Sequence, residues 1–159
     1  MNPVCGCAGN CGCGTNCAGC CGACNASAYG FFTQNGCLNI SAGGIIPFSG
    51  CSTAVGVCQS GGVLTLEEPG VYMVTLGVTI PENDTLDTAL NIRLDGTAVP
   101  GGAIVIDKNS TDAPLHASTQ TVVNACAGSV VTVPSTDTIN ITTECGDDPI
   151  ATLTIVKIA

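Results

Sequence analysis

The sequence predicts an all-β protein: an antiparallel jelly-roll sandwich of about ten strands preceded by an extended, cysteine-rich N-terminal arm. Three observations point there. Beyond Ala26 the helical period is absent, and short runs of Val, Ile, Leu and Thr with two-residue alternation take its place. Turn-forming sequences, Asn35-Gly36, Pro69-Gly70, Asp95-Gly96 and Gly146-Asp147-Asp148-Pro149, separate those runs. Residues 5–24 hold eight cysteines and no charged side chain, spaced by Gly, Ala, Asn and Thr. Such a segment buries too little apolar surface to offset the entropy of ordering it, so covalent or coordinate bonds must do so. The chain therefore divides into an arm, 1–27, and a body, 28–159, long enough for one packed core.

Taken in order, strands are expected at 29–32, an aromatic pair behind a glycine, and at 43–48, where Ile45, Ile46 and Phe48 follow two glycines. Alternating Val and Leu mark 62–68. In 70–80, Tyr72, Val74, Leu76, Val78 and Ile80 share one parity and should face the core. Val71, Met73 and Thr75 on the opposite face are too apolar for open solvent, and a neighbouring subunit is the simplest cover. Strands follow at 89–96, 102–107, 116–125, 129–134 and 138–144, the last four rich in β-branched residues. In the last, 150–158, Ile150, Leu153, Ile155, Val156 and Ile158 do not keep one parity, so parts of both faces should be covered.

Charge narrows the function. Three Lys plus Arg stand against twelve Asp plus Glu, a net charge of −9. Nucleic acid needs clustered cations, and an anionic membrane surface does too, so both are excluded as partners. Arg93, Lys108 and Lys157 offer a trypsin-like protease few cleavage points, which suits exposure to the outside world. Thirteen cysteines imply disulfides or metal, and the odd count leaves at least one without an intrachain disulfide partner. No secretory signal is legible at the N-terminus and no apolar run reaches transmembrane length. An extracellular protein released by lysis of its cell would reconcile these features.

Within the arm, Cys5, Cys7, Cys11, Cys13, Cys17 and Cys21 share one parity, while Cys20 and Cys24 fall on the other. Close sequence neighbours are poor disulfide partners, so bonds should run to an adjacent arm or body. A fully extended arm of 24 residues spans about 80 Å, enough to reach another subunit. In the body, Cys51 and Cys58 could close a small loop, Cys37 and Cys145 lie beside glycines in turns as receptors for arms, and Cys126 can equally be a buried free thiol. All thirteen cysteines are thus candidates for intersubunit disulfides. One rival reading is a metallothionein-like arm, whose eight thiolates would satisfy two tetrahedral zinc ions, although no Lys or His accompanies them. A partly oxidised, unstructured tail is another.

Catalytic chemistry is not legible. His116 is the single histidine, beside no nucleophile motif, and reads as a surface residue. Asp84 with Asp87, and Asp147 with Asp148, could contribute to calcium binding but read more simply as solvated turns. Glycosylation triplets begin at Asn25, Asn39, Asn83, Asn109 and Asn140 and carry little weight in so Thr-rich a chain. The expectation is no catalytic residue, no cofactor and no bound metal.

The stretch 62–78, with Gly70 and Tyr72, resembles the Gly-x-Tyr strand of the complement and tumour-necrosis-factor type of jelly roll. The segment 94–106, with Leu94, Gly96, Val99, Pro100 and Gly101, is similar to globular heads of bacterial exosporium collagen-like glycoproteins. The arm's "CAGCCGAC" is similar in style to the N-terminal connectors of endospore appendage subunits. The resemblance implies a trimeric, non-enzymatic module of a bacterial surface, here without the collagen stalk and with few aromatics. The function expected is a structural subunit of a disulfide-cross-linked extracellular fibre or spore coat. A metal-binding arm on a jelly-roll trimer and an adhesive or ligand-binding head are the alternatives.

Overall fold

The computed structural model describes residues 28–142, 146 and 148–159. The arm cysteines, Cys145 and Asp147 lie outside the described residues. Within them, twelve strands run in the order β1 (Tyr29–Asn35), β2 (Leu38–Ile40), β3 (Gly50–Val55), β4 (Val57–Ser60), β5 (Val63–Leu66), β6 (Gly70–Ile80), β7 (Leu86–Leu94), β8 (Thr97–Lys108), β9 (Leu115–Ala125), β10 (Val130–Thr132), β11 (Ile139–Ile141) and β12 (Pro149–Lys157). They form two five-stranded sheets, β3-β1-β12-β6-β9 and β4-β5-β10-β7-β8, with a two-stranded sheet β11-β2. The strands pair antiparallel throughout the two large sheets, and non-sequential neighbours such as β1-β12-β6 give the jelly-roll crossovers.

Strand β6 sets the core. Tyr72, Val74, Leu76 and Ile80 are fully buried and Val78 nearly so, as their shared parity predicts. Phe32 of β1, Leu64 and Leu66 of β5, Leu90 and Ile92 of β7, and Leu153 and Ile155 of β12 join them in one cluster. Asp95 and Gly96 have φ of 50° and 80°. Two successive left-handed residues make the turn whose twist matches a hairpin, and they join β7 to β8. The Asp95 carboxylate then accepts Ser129 Oγ at 3.0 Å and the Val130 amide at 2.8 Å, tying the hairpin to β10.

The structure corrects several boundaries. Residues 43–48 form no strand: Ile45 makes a single bridge to Pro134, Pro47 has no amide to donate, and Phe48 is left-handed at φ 44°. Ile46 and Phe48 are buried as plugs in a crossing loop, which produced the apolar pattern without a ladder. Gly62, at φ 87°, lies under that loop, where a Cβ would meet Ile46 O at 2.5 Å. Conversely β3 and β4 were not expected, because small and polar residues dominate 50–60 and the pairing there comes from the backbone, nor was the three-residue β2, which pairs only with β11. In β12, Gln34 pairs with Ala151 but Asn35 with Pro149, so Ile150 is an extra, bulged residue. The bulge buries both Ile150 and Ala151, which accounts for the mixed parity of that strand.

Candidate assembly face and cysteine positions

Register places the outward residues of the β3-β1-β12-β6-β9 sheet in rows. One apolar row crosses all five strands: Val55, Tyr29, Val156, Met73 and Val122. Tyr29 and Val122 are 39% and 56% exposed, and Ile158, beyond the end of β12, is 53% exposed. The next row is Thr53, Phe31, Thr154, Thr75 and Gln120, and the one after is Gly50, Thr33, Thr152, Gly77 and Ser118. Among these positions, and Val71, Asn124, Thr79 and His116 beside them, none is Asp, Glu, Lys or Arg. In a chain of net charge −9, an uncharged face of about 19 by 27 Å, from strand spacing and rise, is a marked segregation. The expected trio Val71, Met73 and Thr75 sits within it, half-buried by its own sheet. Tyr29, Val55, Val122 and Val156 were missed because only the pairing register, not the local sequence, puts them beside Met73.

At the far end of the face, away from Ala28, a shallow groove of about 280 Å³ is lined by Gly77, Thr79, His116, Ser118 and Thr152. Gly77 opens it, since a Cβ there would meet Thr152 Oγ1 at 2.8 Å. His116 is exposed, and its Nδ1 is hydrogen-bonded to Thr79 Oγ1 at 3.0 Å. The hydroxyls of Thr79, Ser118 and Thr152 line the groove beside the His116 ring.

The cations are committed internally. Lys157 Nζ binds Glu68 Oε2 at 3.0 Å, Arg93 Nη1 donates to Gly96 O at 3.2 Å, and buried Lys108 donates to Asp84 O at 2.5 Å and Ser110 O at 2.6 Å. Tyr72 Oη donates to Glu68 O at 2.7 Å. Burial, followed by the nearby Glu68 and Glu67 carboxylates, pushes the Tyr72 phenol up to about 12. Asp84 is buried and its carboxylate accepts the Thr142 amide at 3.4 Å, whereas Asp87 is exposed on β7 opposite Asp107. The two acids therefore serve different surroundings. Among the described residues no group of three or more His, Cys, Asp or Glu is placed to hold a metal ion, and no helix is long and apolar enough to cross a membrane.

The body cysteines separate. Cys37, in the exposed β1–β2 turn, and Cys51, on β3, are disulfide-bonded. Cys58 is buried on β4 and its thiol donates to Glu67 Oε1 at 3.1 Å, so the small loop expected from a Cys51–Cys58 bond does not form. Cys126, considered as a buried thiol, is exposed and free in the β9–β10 turn. It lies beyond Ala125, which pairs with Gly70, and so at the same end of the sandwich as Ala28.

With the geometry established, its likeness to known proteins becomes informative. A tumour-necrosis-factor protein, Eiger from S. frugiperda, superposes with a TM-score of 0.60 at 14% identity, covering 84% of this chain and 93% of that one. The body is a jelly roll of the TNF/C1q type. Murine APRIL at pH 5.0 gives a TM-score of 0.59 at 14% identity, with coverage of 84% and 100%. The globular domain of zebrafish complement 1qA gives 0.59 at 16% identity, with 84% and 98%. No family model and no curated sequence matches the chain. The TNF/C1q-type fold, at such identities, fixes architecture alone.

Proposed function

We propose that this protein is a non-enzymatic structural subunit that self-assembles through the uncharged face of the β3-β1-β12-β6-β9 sheet, as trimeric heads or a helical fibre. Its N-terminal cysteines cross-link the assembly as an extracellular fibre or coat, with a bacterial spore surface as the setting. One observation carries the reading: the apolar row Val55, Tyr29, Val156, Met73 and Val122 on a face without formal charge. Two chains of charge −9 repel at most approaches, and this face lets them meet without opposing carboxylates. Its flat area of about 500 Å² per copy reaches about 1,000 Å² for two, the lower bound for a specific interface. Support for the spore setting is the resemblance of 94–106 to exosporium heads and of the arm to appendage connectors.

The arm Cys5, Cys7, Cys11, Cys13, Cys17, Cys20, Cys21 and Cys24, with Cys126 and Cys145, supply the sulfur in this reading, whereas Cys37 and Cys51 are already disulfide-bonded and Cys58 is buried. Each disulfide typically contributes about 2–4 kcal/mol by constraining the unfolded chain, so several per subunit give resistance to heat and denaturant. The test is negative-stain microscopy of the oxidised full chain with gels run with and without reductant. Ordered assemblies, very large species in hot detergent, and collapse to a single 15.7 kDa band on reduction are expected. Isolated monomers carrying stoichiometric zinc on the arm would replace this reading with the metal-thiolate one.

A further inference from the structure

A glycine stands within β6, the strand that sets the core. Gly77 is not left-handed, so no backbone conformation requires it there, and a glycine inside a strand marks a bulge or room for a close approach. What it supplies is room for the groove of about 280 Å³. The Ser118 and Thr152 hydroxyls in that groove have no partner among the described residues. His116 uses Nδ1 on Thr79 Oγ1 and leaves Nε2 for a ligand. A second cavity of about 160 Å³ continues from the first, because Thr79, Pro149 and Ile150 line both. Its other walls are Pro81, Pro114, Glu82 and Asp148.

The joined cavities therefore run from hydroxyls at one end to carboxylates at the other. Neither holds a Lys or Arg. Lys108 is committed to Asp84 O and Ser110 O, and Lys157 to Glu68. In a chain of net charge −9, an acidic cavity end without a cation attracts a positive group and repels an anion. Carboxylates accept charge-assisted hydrogen bonds from an ammonium, whereas Ser and Thr hydroxyls both donate to and accept from the hydroxyls of a ligand. The three prolines give rigid apolar walls that lose little freedom when a ligand enters. We propose that the joined cavities bind a protonated primary amine carrying hydroxyl groups, an amino sugar in size, with the ammonium at Glu82 and Asp148 and the hydroxyls at Ser118, Thr152 and His116. The volumes lie at the lower end of small-molecule sites, about 300–1,000 Å³, which suits a single ring. N-acetylation removes the ligand's charge and sets an amide against two carboxylates, so the acetylated sugar is rejected. The site is built within one chain and goes beyond the self-assembly proposed above without resting on it.

Equilibrium dialysis of the full chain at neutral pH and low salt tests it, with D-glucosamine, D-glucose, N-acetyl-D-glucosamine and methylammonium as probes. Glucosamine is expected to saturate at one per chain and to bind about tenfold more tightly than the other three. Glu82→Gln with Asp148→Asn should bring glucosamine down to the level of glucose. Thr152→Val should weaken glucosamine about fivefold and leave methylammonium unchanged. Asp87→Asn with Asp107→Asn removes the same number of charges from the other sheet and should leave glucosamine binding unchanged. Equal affinity for methylammonium, or an equal loss in that last variant, would show diffuse attraction of cations and overturn the site. Absence of glucosamine binding in both the wild type and Met73→Lys would also overturn it. Binding by Met73→Lys alone would uphold the site and show that neighbouring copies cover it.

Discussion

Tyr72 shows how much a single side chain carries in this body. Its ring is fully buried in the core, and its hydroxyl reaches the Glu68 carbonyl at 2.7 Å, while Lys157 pairs with the Glu68 carboxylate at 3.0 Å. The phenol is held up at about 12 by burial and the two glutamates, against an ordinary value of about 10. Between those values the unfolded chain releases a proton that the folded chain retains. Stability therefore falls as pH rises from about 10 to about 12. Tyr72→Phe should cost about 1 kcal/mol at neutral pH through the lost hydrogen bond, and should flatten this part of the alkaline decline. Urea titrations of both proteins across that pH range check it. An unchanged slope would place the alkaline sensitivity elsewhere.

Among the elements, β6 was legible because eleven residues of strict alternation leave one reading. The edge strands β3 and β4 were not, since Gly50–Val55 and Val57–Ser60 carry small and polar side chains and are ordered by pairing with β1 and β5. Ile46 and Phe48 misled for the opposite reason: they are buried without belonging to a strand. The uncharged face proposed for assembly was half legible. Val71, Met73 and Thr75 stood out as apolar residues on the wrong parity, but Tyr29, Val55, Val122 and Val156 join them only through long-range register. Met73→Lys would bury an unpaired charge at a cost of about 3 kcal/mol per contact, weakening association more than about a hundredfold. The strand-type circular dichroism should be unchanged, because Met73 faces away from the core cluster. Loss of that spectrum would mean that this face is needed for the fold itself.

At the scale of the whole molecule, the role proposed above assigns packing to the acidic, cation-poor body and locking to the cysteine-dense arm. The three basic residues lie in β7, β8 and β12, with Lys108 buried and Lys157 ion-paired. Prolonged trypsin treatment of the native full chain should therefore leave the 15.7 kDa band intact, with cleavage appearing only after denaturation. Rapid native cleavage at Arg93 would show that the β7–β8 hairpin opens. The most direct test of the central claim removes the disulfides and asks whether the sheet face still associates. Sedimentation velocity of full chain, reduced and alkylated under native conditions, should show a discrete oligomer that dissociates in Met73→Lys. A single 15.7 kDa species at every concentration up to the millimolar range would contradict assembly through this face.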